Sequence, residues 1–140
     1  MSSNWQLAIS YAFIKKYEQA LECSNRALEL DENNSDNLNT RAWALNGLKR
    51  YEEALECSNK ALELDVNNDW TWNNKAWALI NLGKNEEALE CSNQALELDP
   101  SCAWTWGNKS IALNRLGKYN EASVCSNQAS KLDPSTIPDW

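Results

Sequence analysis

Cysteine, glutamate and asparagine are the residues in this chain whose spacing invites a chemical reading, and each recurs in a fixed rhythm. Cys23, Cys57, Cys91 and Cys125 stand 34 residues apart. A disulfide needs Cα atoms within about 7 Å, and a structural zinc site needs close-spaced pairs such as C-x₂-C; this spacing offers neither. Equivalent places on stacked helices lie about 8–10 Å apart, so the four are expected to be small buried thiols, with Cys102 a loop residue. Histidine is absent altogether, which removes the usual general base near neutral pH. The four glycines are scattered, so no loop can cradle a phosphate. Glu52, Glu53, Glu56 and Glu63 follow helical spacing on a solvated face. Asp31, Asp65, Asp99 and Asp133 come one per copy and mark helix ends. No catalytic set, metal site or cofactor site is expected, and an enzyme is not expected.

The rhythm belongs to the whole sequence. "EEALECSNKALELD" at Glu52–Asp65 returns as "EEALECSNQALELD" at Glu86–Asp99, 34 residues on, with looser copies at Glu18 and Asn120. Within Tyr51–Leu64, Ala54, Leu55, Ser58, Ala61 and Leu62 form one apolar stripe at helical spacing. The segment Trp70–Leu82 puts Trp72, Lys75, Ala76 and Leu79 on one side and is closed by Gly83, as Gly117 closes its counterpart. Pro100 and Pro134 follow second helices, which they cannot continue. The chain therefore divides into helix–turn–helix units at 1–34, 35–68, 69–102 and 103–136, all-α, eight helices in total. Neither helix of a unit can bury its stripe alone, so the units must stack into a solenoid with one continuous core.

The letters resemble the tetratricopeptide repeat: "WNNKAWAL", "LGKNEEA" and "ALELDP" stand between Trp72 and Pro100, and the match runs over essentially all 140 residues. The resemblance implies a right-handed superhelix whose first helices line a concave ligand groove. Departures are Asn4 and Leu38 where the repeat favours Trp, and Ser24, Ser58, Ser92 and Ser126 where it favours Tyr. The tail "IPDW" puts Trp140 in phase with Trp72 and Trp106, and Pro138 in a first turn. Residues 137–140 are thus expected to begin a truncated fifth repeat, leaving an uncapped face on the fourth and end-to-end self-association.

Helical phase sorts the tryptophans. Trp72 and Trp106 share the packing stripe and are expected in the core. Trp70 and Trp77 lie about 140–160° round the helix from Trp72, at 100° per residue. On that side repeat three also carries Asn73, Asn74 and Asn81. Repeat four carries Trp104, Asn108, Asn114 and Arg115 there, and repeat two Asn39, Trp43 and Asn46. A groove of Trp and Asn suits an extended peptide, because a carboxamide both donates and accepts and indole gives stiff apolar area. Arrays of this family that clamp the acidic tail of heat-shock chaperones carry Lys and Asn, then Asn, then Lys and Arg on successive first helices; repeats two to four hold Asn39 and Trp43, then Asn74, then Trp104 and Asn108 there, so that mode is not expected.

The leading expectation is a protein-interaction scaffold for a neutral to basic peptide. Its alternative is a structural spacer or self-associating array in which the same tryptophans only stack between repeats. The net charge of −7 disfavours nucleic acid and anionic membranes as partners. No run approaches the ~20 apolar residues of a membrane span, no secretory signal opens the sequence, and a cytoplasmic location is expected.

Overall fold

The computed structural model describes residues 3–133, with side chains from Tyr11 onward. Seven helices make up the described residues: α1 (Ser3–Leu30), α2 (Ser35–Gly47), α3 (Tyr51–Leu64), α4 (Asp69–Asn81), α5 (Asn85–Leu98), α6 (Ala103–Arg115) and α7 (Tyr119–Leu132). No strand occurs among them. Each helix packs on its neighbours in sequence, and α2, α4 and α6 also touch one another in order. The result is an all-helical stack in which α2, α4 and α6 form one layer.

Local chemistry sets the ends. Asn34 Oδ1 accepts the Asn37 backbone N–H and Asn68 Oδ1 accepts that of Trp70, each satisfying a donor the first turn leaves open. Lys49, Gly83 and Gly117 take positive φ values of 63°, 80° and 80° after α2, α4 and α6. That left-handed residue lets the next N–H reach back, as Arg50 does to Leu45 O at 2.8 Å. After α1, α3 and α5, Asp31, Asp65 and Asp99 accept backbone N–H groups two residues on and fold the link to the next helix. Repeated Ala, Leu and Cys fill the core: Leu45 packs with Ala54 and Cys57, Leu79 with Ala88 and Cys91, Leu113 with Ala122 and Cys125.

Three expectations are corrected. The first is the count of eight helices: no hairpin breaks residues 3–30, and α1 runs unbroken for 28 residues. Lys15 stands where Gly83 and Gly117 stand, and a side chain in the left-handed conformation costs about 1–2 kcal/mol. Lys49 meets that cost inside a packed unit, whereas Lys15 remains helical. The second is Cys23, which is exposed while Cys57, Cys91 and Cys125 are buried; the straight α1 leaves its face uncovered. The third is that Trp72 and Trp106 are half-buried at the edge of the core. Their indole N–H groups donate to Val66 O and Pro100 O at 2.9 and 2.8 Å, and Lys75 and Lys109 lie over their rings. The indole must reach the loop before its helix, which holds it at the rim. The expected fifth repeat, with Pro138 and Trp140, lies outside the described residues.

Candidate functional site

The exposed edge of the α2–α4–α6 layer holds a hollow of about 260 Å³ lined by Tyr17, Trp43, Asn46, Gly47, Asn74, Trp77, Trp104 and Asn108. Its position follows from the period. Trp43 and Trp77 are one repeat apart, as are Asn74 and Asn108, so α4 shares its tryptophan place with α2 and its asparagine place with α6. Trp43 meets the Tyr17 ring edge-on at 4.8 Å between centroids, and the Lys16 ammonium lies 5.8 Å from the indole centroid. Gly47 belongs here for a steric reason: a Cβ at that place would run into the Tyr17 ring.

The amides of the hollow are sealed but incompletely satisfied. Asn46 Nδ2 donates to Asn74 O at 3.0 Å and Asn74 Nδ2 donates to Asn39 O at 3.3 Å, tying α2 to α4. Asn46 Oδ1, Asn74 Oδ1 and both amide atoms of Asn108 have no partner, although the three side chains are at most 6% exposed. A buried acceptor or donor left open costs about 1–3 kcal/mol. Sealed in this way, the atoms are not open to the hollow, and rotation of their side chains would be needed to bring them to its surface.

The other sequence-predicted residues fall elsewhere. Asn39 and Asn73 are sealed between first helices, where Thr71 Oγ1 donates to Asn39 Oδ1 and Asn73 Nδ2 donates to Thr105 Oγ1, both at 2.8 Å. Asn81 Nδ2 donates to Trp77 O of its own helix. Trp70 is 36% exposed and lies outside the hollow. Asn114 is half-buried, and the Arg115 guanidinium donates to Ile80 O at 2.7 Å, which links α6 to α4. Gly47, in phase with Asn81 and Arg115 on the groove side, completes the wall with Tyr17; Tyr17 carries no signal of its own in the sequence and reaches the hollow because α1 runs unbroken there.

Two larger hollows flank α1 on the outer side, of about 440 and 620 Å³. Glu18, Glu22, Glu29, Arg26 and Arg50 line the larger. They are wide, charged with both signs, and none of their polar atoms is both sealed and unpartnered. The buried thiols are chemically quiet. Burial pushes Cys91 up to about 11, against the pull of Lys75, and raises Cys57 and Cys125 in the same way. Among the described residues no group of three or more acidic, Cys or His side chains is placed to hold a metal. No described helix is long and apolar enough to cross a membrane.

Models of the tetratricopeptide repeat match residues 1–65, 70–102 and 105–136. With the helix pairs and their in-phase cores, this establishes that the chain belongs to the tetratricopeptide repeat family. No curated protein sequence matches it. Among solved structures it is similar to TTC0263, a thermophilic tetratricopeptide repeat protein of Thermus thermophilus, with a TM-score of 0.80 and 20% identity over 92% of this chain and 72% of that one. It is also similar to YrrB, described as having an unusual peptide-binding site (TM-score 0.74, 23% identity, 91% of this chain and 66% of that one). A third is the first such domain of Spaghetti (RPAP3) bound to the HSP90 peptide SRMEEVD (TM-score 0.69, 24% identity, 74% of this chain and 82% of that one). At these identities the likeness is one of fold.

Proposed function

We propose that this chain is a non-enzymatic interaction scaffold that holds an extended, neutral to basic, partly apolar peptide segment in the Trp43–Trp77–Trp104 hollow. The observation that carries this reading is the meeting of three indoles with buried, unpartnered amide atoms of Asn46, Asn74 and Asn108 in one concavity. Indole area provides affinity, and the amides of Asn46, Asn74 and Asn108, turned outward from their sealed positions, receive the peptide backbone. Two of the similar structures are of proteins described as binding peptides, which supports the assignment by analogy of fold.

The acidic-tail mode is disfavoured because no Lys or Arg is among the described residues lining the hollow, Lys16 lying over the Trp43 ring beside it, and a carboxylate is gripped by such cations. The array itself is read as four units, 1–34, 35–68, 69–102 and 103–136, the first opened out along α1, and its setting as cytoplasmic.

A displayed library of random peptides, selected against the chain, tests the reading. Selected peptides are expected to lose at least tenfold in affinity with Trp77→Ala plus Trp104→Ala and to be unaffected by Trp70→Ala, with little change on raising salt. Failure to select any peptide, or equal loss from Trp70→Ala, would overturn it. A spacer role is the second reading, favoured by the recurring Asn39–Thr71 and Asn73–Thr105 pairings, which lengthen an array without shaping a site.

A further inference from the structure

We propose that two copies of this chain exchange their leading segments, residues 3–14 of one copy seating on Ala20, Cys23 and Ala27 of the other. The slot is visible by comparison with the other units. Ala54, Cys57 and Ala61, with their counterparts Ala88, Cys91, Ala95 and Ala122, Cys125, Ala129, are all 5% exposed or less. The same places in α1 hold Ala20 and Ala27, half-buried, and Cys23, exposed. What covers the slot elsewhere is a leading helix, through Leu45, Leu79 or Leu113, each at most 2% exposed.

The residue 34 before Leu45 is Tyr11, and it is 64% exposed, with Phe13 and Ile14 beside it at 52% and 44%. Slot and plug are thus both present and both bare. They cannot meet within one copy as it stands, because nine helical residues hold Tyr11 roughly 14 Å from Ala20 along a rigid axis. A second copy supplies the plug without new chemistry, since the contact is one the chain already makes between α2 and α3, α4 and α5, and α6 and α7.

Charge agrees with that occupant. Residues 3–17 contain Lys15 and Lys16 and no acid, whereas residues 18–30 contain Glu18, Glu22 and Glu29 against Arg26. Two α1 helices crossing antiparallel set the basic half of each on the acidic half of the other. Twofold symmetry makes that match twice.

Sedimentation of the full chain between about 1 and 100 µM, bracketing a micromolar Kd, is expected to show a dimer. Tyr11→Glu, at an exposed place and with helix content checked by circular dichroism, should raise the dissociation constant at least tenfold. Lys15→Gly, which provides the residue found at the other turns, should shift the chain to monomer. Tyr11→Cys, oxidised with Cys23, should give a covalent dimer on a non-reducing gel. A wild-type chain monomeric throughout, association untouched by Tyr11→Glu, or a Tyr11→Cys bridge formed within one chain would each overturn the proposal.

Discussion

Thr71→Val probes how the repeats are held together. The Thr71 hydroxyl donates to Asn39 Oδ1 at 2.8 Å, with Thr71 1% and Asn39 0% exposed. Valine keeps the shape of threonine, so no cavity opens and the change isolates the hydrogen bond. Its loss is worth about 1 kcal/mol, and the stranded buried carbonyl adds about 1 kcal/mol more. Asn39 Nδ2 has no partner already, so the whole amide would then lie in the α2–α4 interface without a side-chain bond. The expected cost is about 2 kcal/mol, read as a lower urea midpoint at unchanged slope. Asn39→Leu should cost a similar amount, and the double variant much less than the sum, with a coupling of about 1 kcal/mol or more. A Thr71→Val cost under about 0.5 kcal/mol, or strict additivity of the pair, would refute the view that this link fastens repeat to repeat.

Lys49→Gly should stabilise the chain by about 0.5–1 kcal/mol, because glycine takes the φ of 63° without the steric penalty; thermal unfolding would register a rise of a few degrees. The Cys91 thiol has a folded value of about 11 against an ordinary 9.0. Its neutral form is the one the fold favours, so its contribution is whole below about pH 8.5, near the free thiol value, and is lost as pH rises through 11. Urea midpoints at pH 8 and pH 10.5 should therefore fall with alkalinity. Alkylation at pH 8, at a dilution where the chain is monomeric, should reach exposed Cys23 well before buried Cys91.

Much of this architecture was legible because the period repeats its own evidence. Gly83 and Gly117 announce their turns, Asp65 and Asp99 their links, and the Ala–Leu–Cys stripe its burial, each seen more than once in the same phase. Where legibility failed, the residue type was ambiguous and only neighbours decide. Lysine stands at both 15 and 49, yet one stays helical and the other turns left-handed. The difference lies in the packing around each, which no letter records.

The asparagines failed in a similar way. A carboxamide serves equally well toward a ligand or toward the next helix, and Asn73 differs from Asn74 by about 100° of helix turn. That single step separates the α4–α6 seam from the hollow. Trp70 and Trp104 hold the same place one repeat apart, yet Trp104 lines the hollow with Trp43 and Trp77 and Trp70 does not.

The Asn39–Thr71 and Asn73–Thr105 links have an evolutionary corollary. Excising residues 69–102 would bring Thr105 opposite Asn39, the same pairing of residue types that Thr71 had supplied, and a hydroxyl and a carboxamide can bond in either direction. Splicing in another 34-residue block would likewise find a matching mate on either side. Unequal recombination within such a gene can thus change the number of modules while every seam keeps the same chemistry, so array length is free to drift where the individual joint is not.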